Sequence, residues 1–117
     1  MDIKQLSMDL NNMIIEGKIL EAFEKYYADD VVMQENNSAP RVGKEESRKF
    51  EENFVAGVSE IHEAKVVNVA YGDNVSMVEW SFDMIMKEYG RVKMEQVAVQ
   101  TWKDGMVVHE RFYYPTK

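Results

Sequence analysis

Four long runs of alternating polarity in the C-terminal half constrain this chain more than any other feature it carries. Gly72-Asp73-Asn74, Gly90 and Asp104-Gly105 separate them, and all three are turn-forming combinations. In the run 75–88, Val78, Trp80, Phe82, Met84 and Met86 take the even positions, and Glu79, Ser81, Asp83 and Lys87 are among the odd ones. A period of two belongs to a strand with one face in a core, because successive side chains leave the pleated backbone on opposite sides. The runs are longer than an average strand of about 5–6 residues, so a large sheet is predicted. Asp104-Gly105 suits a two-residue type I′ turn, in which both central residues take positive φ.

The N-terminal half has a different period. Ile3, Leu6, Leu10, Met13 and Ile14 recur three and four apart, which makes one apolar helical stripe. Asp2 with Gln5 three places later suits a capping box, and Gly17 is a natural stop. A second short helix is predicted over 18–27, with Ile19, Leu20, Phe23, Tyr26 and Tyr27 apolar, and Val31-Val32-Met33 reads as a short strand. Pro40 and Gly43 mark an irregular loop. From Lys44 to Ala56 a third helix spaces Phe50, Phe54 and Val58 four apart and ends at Gly57. Its acidic residues Glu45, Glu46, Glu51 and Glu52 read most simply as a solvated face. Helices first and an antiparallel meander afterwards give an α+β class, with three helices covering the concave face of a curved sheet. At 117 residues the whole chain, 1–117, is expected to be one domain.

Alternation also assigns faces. In the run 91–103, Val92, Met94, Gln96, Ala98, Gln100 and Trp102 share the inner face, and Val97, Val99 and Thr101 the outer one. In the last run, Met106, Val108, Glu110, Phe112 and Tyr114 fall inside, and Val107, His109, Arg111 and Tyr113 outside. A one-residue slip in register would exchange the two sets. Gln96, Gln100 and Glu110 are then polar groups on a core face. A carboxylate there is costly unless it is paired or wet. Either Glu110 meets a buried partner or a strand end, or the concave face is unfilled and Glu110 and Gln100 line a cavity. The outer face, with Val97, Val99, Val107 and Tyr113 among charges, is expected to meet a second copy of the chain in a homodimer.

Composition removes several classes of function. The net charge of −7 repels phosphate, so nucleic acid and anionic membrane are not expected partners. With no cysteine and two histidines, His62 and His109, far apart in sequence, no disulfide, metal site or cofactor is expected. The opening Met1-Asp2-Ile3-Lys4-Gln5 lacks the apolar core of a signal peptide, so a cytoplasmic location is expected.

The segment Tyr27-Ala28-Asp29-Asp30-Val31-Val32-Met33-Gln34-Glu35 resembles a stretch common in the nuclear transport factor 2-like (cystatin-like) superfamily, which includes SnoaL-like polyketide cyclases and ketosteroid isomerases. Pro40-Arg41-Val42-Gly43 resembles the loop that opens the next helix there. Trp102-Lys103-Asp104-Gly105-Met106-Val107-Val108 with Glu110-Arg111-Phe112-Tyr113 is similar to the closing hairpin of SnoaL-like proteins. The resemblance spans nearly the whole chain and implies a cone-like fold.

It also implies a general base at Glu35, where ketosteroid isomerases carry an Asp. The chain departs from the isomerase oxyanion donors, whose positions fall near Asn11 and Ala98. For the polyketide cyclases, the nearest inner-face carboxylate is Glu110. The resemblance therefore implies a small-molecule-binding domain, either a cofactor-free isomerase or cyclase acting by proton transfer on a small carbonyl compound, or a non-catalytic ligand-binding or homodimerisation module. Glu35 and Glu110 are the candidate catalytic residues. Trp80, Phe82, Met84, Gln100, Trp102 and Phe112 are the candidate lining of an apolar pocket.

Overall fold

In the computed structural model, which describes residues 2–116, the alternating runs are four long strands. Three helices and two further strands precede or join them: α1 (Ile3–Ile15), α2 (Ile19–Tyr26), β1 (Tyr27–Glu35), β2 (Arg41–Val42), α3 (Lys44–Gly57), β3 (Val58–Tyr71), β4 (Val75–Met86), β5 (Gly90–Lys103) and β6 (Met106–Tyr113). They form one open, mixed sheet in the order β2-β1-β6-β5-β4-β3. All pairs are antiparallel except β1 with β6, which is parallel. The chain reaches β1 before the meander begins, and β6 returns beside it in the same direction.

The helix boundaries follow local chemistry. The Asp2 carboxylate accepts the Gln5 backbone N–H at 3.0 Å, which caps α1. Gly43 at φ 92 turns the chain from β2 into α3, a conformation glycine adopts without a Cβ penalty. Arg48 on α3 donates twice to Glu24 on α2, at 2.6 and 3.0 Å, and Lys44 donates to the Glu24 carbonyl at 3.0 Å. These contacts hold α3 beside α2 over the sheet.

Two differences from the sequence reading matter for the site. Tyr27 does not end the second helix. It has extended backbone, φ −99 and ψ 130, and is the first residue of β1, so its ring turns inward. β1 also runs well beyond Val31–Met33: Tyr27 pairs with Val107 and Val32–Glu35 with β6 residues 109–112, while Asp29 and Asp30 fall in the irregular stretch between these two pairings. Two-residue β2 is too short for any periodic signal.

The face assignment for β4 and β5 agrees with the register: Val78 opposes Ala98, Trp80 opposes Gln96 and Phe82 opposes Met94. Val78, Trp80 and Ala98 form one buried cluster. A larger one gathers Leu10, Phe23, Tyr26, Val31, Met33 and Trp102 with others. In β6 the assignment is corrected. The register shifts between Thr101, which opposes His109, and Trp102, which opposes Val107. The extra residue, Val108, is a bulge, and it exchanges the faces at the start of the strand. Val107 is fully buried in the main core and not on the outer face, while Val108 is only half-buried. Asp104 and Gly105 both have positive φ, 53 and 78, as the two-residue turn requires.

The bulge makes a quantitative prediction. Val107→Ala is expected to cost about 2 kcal/mol of folding stability, and Val108→Ala less than about 1. Equal losses in urea denaturation would be inconsistent with this register.

Candidate functional site

The core does not fill the concave side completely. A cavity of about 290 Å³ lies between the helices and the sheet. Leu10, Ile14, Ile19 and Phe23 of α1 and α2 wall one side. Trp80, Phe82 and Met84 of β4, Met94 and Gln96 of β5, and Phe112 of β6 form the floor. From α3, Phe50, Glu51 and Phe54 complete it. The wall is mostly apolar and aromatic, and it carries Tyr27, Glu35, Glu51, Gln100, Glu110 and Tyr114 as polar groups. Few polar groups converging in an apolar hollow is the usual form of a small-ligand site.

Glu110 is the centre of this polar set. It is 2% exposed, and both oxygens accept hydrogen bonds: Oε1 from the Tyr27 hydroxyl at 2.5 Å and Oε2 from the Gln100 amide at 2.7 Å. The register explains the second contact, since Gln100 and Glu110 are direct partners across β5 and β6. Burial pushes the Glu110 carboxyl up from 4.5 to about 7. Its two donors pull it down, and the nearby Glu51 and Glu35 push it up further. Burial likewise holds the Tyr27 phenol well above its ordinary range, so Tyr27 remains a neutral donor.

Glu35 lies along the same face. On β1 it pairs with Phe112, two residues beyond the Met33–Glu110 pair, which sets the two carboxylates' backbones about 7 Å apart along the strands. One oxygen accepts Arg41 at 3.0 Å and the other accepts the Tyr114 hydroxyl at 3.1 Å. The Arg41 guanidinium stacks over the Phe50 ring, 3.7 Å from its centroid. The Tyr114 phenol is raised by burial and by Glu35.

Of the expected lining residues, Trp80, Phe82, Met84, Gln100 and Phe112 line this cavity together with Glu35 and Glu110. Trp102 does not. Its ring packs edge-on to Tyr26 at 5.9 Å in the main core, and its indole N–H donates to Ser76 Oγ at 2.9 Å. The bulge of β6 leaves it opposite buried Val107.

The sequence reading also missed members of the site. Glu51, which charge density alone puts on a solvated face, is half-buried and lines the cavity, its carboxyl pushed up to about 7 by burial, and further by Glu35, against the pull of Arg41. A signal for it exists: Ser47, Phe50, Glu51 and Phe54 are spaced i, i+3, i+4, i+7, which is one helix face. Tyr114 was on the inner-face pattern without a role. Tyr27 was hidden by the helix boundary.

Comparison with known proteins points one way. A family model described as SnoaL-like domain matches residues 1–114. No curated protein matches the chain by sequence. Among solved structures, a candidate SnoaL-like polyketide cyclase from Mesorhizobium loti is 30% identical, with a TM-score of 0.86, over 97% of this chain and 100% of that one. An LEH-like epoxide hydrolase from M. tuberculosis superposes with a TM-score of 0.74 at 14% identity, over 95% of this chain and 80% of that one. An NTF2-like protein of unknown function from Burkholderia pseudomallei gives 0.81 at 12% identity, over 96% and 89%. At these lower identities the likeness is one of fold.

The buried carboxyl has a consequence for stability. Between pH 4.5 and about 7 the native state keeps a proton on Glu110 that the unfolded chain has released. Stability is therefore full below this window, falls as pH rises through it, and levels off above it. The expected loss from Glu110 is about 3 kcal/mol, and Glu51, also pushed up to about 7, adds a loss in the same window. The carboxyls held low by partners, Asp9, Glu24 and Asp83, act only at more acid pH. Chemical denaturation of the wild type at pH 5 and pH 8 measures the fall, and Glu110→Gln is expected to remove at least half of it.

Proposed function

Starting from a chain that belongs to the SnoaL-like domain family, we propose that it is a cytoplasmic, cofactor-free enzyme that moves a proton on a small, largely apolar carbonyl compound, as an isomerase or cyclase does. The observation that carries this reading is the presence of two carboxyls in different surroundings, Glu35 and Glu110, on one cavity wall. Glu35, ion-paired to Arg41 and bonded to Tyr114, acts as the base. Glu110, raised to about 7, holds a proton near neutrality and is the acid. Separate environments for two titratable groups are the usual basis for dividing acid and base roles.

In the proposed step, Glu35 takes a proton from the carbon next to the carbonyl. The C–H electron pair forms a carbon–carbon double bond, and the carbonyl oxygen receives the Glu110 proton or its hydrogen bond. The resulting enol then takes the proton back from Glu35 at a carbon, or attacks an electrophilic carbon of the same molecule whose heteroatom takes the Glu35 proton; in either case the enol oxygen returns its proton to Glu110 as the carbonyl re-forms. Trp80, Phe82, Met84 and Phe112 bury the apolar part of the substrate, and Gln100 orients Glu110. The position that matches one isomerase oxyanion donor holds Ala98, so the donor this reading assigns to the carbonyl oxygen is Glu110, whose carboxyl the Tyr27 hydroxyl supports. The similarity to the Mesorhizobium loti protein supports a carbonyl substrate of the polyketide kind.

The same cavity without turnover would make the protein a ligand-binding module, and one assay separates the two. Exchange of α-protons of cyclohexanone and larger cyclic ketones into D2O, followed by NMR, is expected to be accelerated by the protein. Glu35→Gln is expected to reduce that acceleration by about 10²–10⁴-fold. Saturable binding with no acceleration of exchange in any of these ketones supports the module instead.

For the partner, we propose a second copy of this chain on the convex face. There Met77 opposes Val99 and Val97 opposes Tyr113, with Met77 and Tyr113 each 44% exposed. Sedimentation equilibrium is expected to show a dimer that Met77→Glu with Tyr113→Glu converts to monomer. A wild type that is monomeric at high micromolar concentration rules this surface out.

A further inference from the structure

Behind the cavity wall, Gln100 does not end the polar network. Its Oε1 accepts the Ser76 hydroxyl at 2.7 Å, and Ser76 Oγ accepts the Trp102 indole N–H at 2.9 Å. Ser76, Gln100 and Trp102 are all buried, and the register places Ser76 opposite Gln100 and Gln100 opposite Glu110 across three strands. We propose that this is a one-way hydrogen-bond chain, in which the Trp102 indole, remote from the cavity, fixes the Gln100 amide with its NH2 toward Glu110 and so sets how readily that carboxyl ionises. The inference rests on the preceding reading only in taking Glu110 as the group that matters.

The direction follows from donor and acceptor counting. An indole N–H can only donate. It therefore occupies an acceptor site on Ser76 Oγ and leaves the single Ser76 proton to go elsewhere. Gln100 Oε1 is the acceptor it reaches. With its oxygen engaged, the amide must present its NH2 to Glu110, where it stabilises the carboxylate. The reversed amide would point Oε1 at Glu110, which is tolerable only when Glu110 is protonated. It would also turn the NH2 onto Ser76 Oγ beside the indole donor and strand the Ser76 proton. Trp102 thus makes the carboxylate-binding orientation the cheaper one. It touches neither cavity nor Glu110, so it is a positioning residue.

Other groups also face Glu110: Tyr27 and Glu35 from β1, Glu51 from α3, and Tyr114 beyond β6, with Arg41 of β2 paired to Glu35. All of them persist when Trp102 or Ser76 is changed, so a difference between variants reports the chain alone.

The test is a carboxyl titration by ¹³C NMR of Glu110, which needs no substrate and can fail independently of the ketone assay. Trp102→Phe keeps an aromatic ring against Tyr26 and removes the donor together with the pyrrole part of the indole, and Ser76→Ala, which leaves that ring intact, controls for the lost volume. It is expected to raise the Glu110 midpoint by about one pH unit, a roughly tenfold change in proton affinity. Ser76→Ala is expected to act in the same direction, and Ser76→Thr, which keeps the hydroxyl, to restore the wild-type midpoint. An unchanged midpoint in folded Trp102→Phe overturns the proposal. Should that variant fail to fold, the wild type decides: the Trp102 indole ¹⁵N–¹H resonance is expected to shift with the Glu110 midpoint, and an indole resonance blind to that titration overturns the proposal equally.

Discussion

A buried carboxyl held between two donors organises this protein. Glu110 is removed from water on the floor of an apolar cavity, and leaving it unpartnered there would cost several kcal/mol. Its two oxygens are met by Tyr27 and Gln100, and Gln100 is met in turn by Ser76 and Trp102. Five residues from β1, β4, β5 and β6 therefore share one network. The parallel pairing of β6 with β1 is what brings Tyr27 within reach, because it lays the first strand beside the last. The bulge at Val108 is equally necessary. It lets Glu110 face inward in mid-strand while Val107 fills the core beneath Trp102.

Fold and site are divided along the concave face. At one end, Leu10, Phe23, Tyr26, Val31, Met33 and Trp102 close into a solid core. At the other, Phe82, Met84, Met94 and Gln96 of the sheet line the hollow, with α1 and α2 on one side of it and α3 completing it. The ion pairs of Arg48 and Lys44 with Glu24 hold that helix where Phe50, Glu51 and Phe54 face the hollow. Glu35, Glu51 and Glu110 all line it, and no Lys, Arg or His is among its lining residues. Burial away from water pushes two of the three carboxyls up to about 7, and the neighbouring carboxylates add to that push. The same fold is built over the whole of the Mesorhizobium loti relative, and among the described residues no helix is long and apolar enough to cross a membrane.

Much of this was legible in the residues. Period-two alternation gave the faces of β4 and β5, because a pleated strand admits only one assignment once Trp80 and Phe82 are inside. It also placed Glu110 and Gln100 among apolar neighbours, where a carboxylate needs an explanation, and that conflict marked the site. The motif Tyr27 to Glu35 pointed to the family and through it to Glu35. What could not be read was whatever depends on a single residue of offset. Tyr27 continues a helical stripe as well as it begins a strand, and only pairing with β6 decides between them. Trp102 belongs to the inner face by parity, yet depth along the cone, which parity does not contain, puts it in the core instead of the cavity.

By itself, then, the sequence determined the class of fold, the inner face of β4 and β5 and two carboxyls that line the cavity, since local periodicity and turn chemistry are properties of neighbours along the chain. The tertiary structure alone decided that Tyr27, Gln100, Ser76 and Trp102 support Glu110, that Glu51 joins the cavity, and that Val107 is core. Those are contacts between residues up to 83 positions apart. They are fixed by strand order, by one bulge and by where a helix comes to rest, none of which has a local signature.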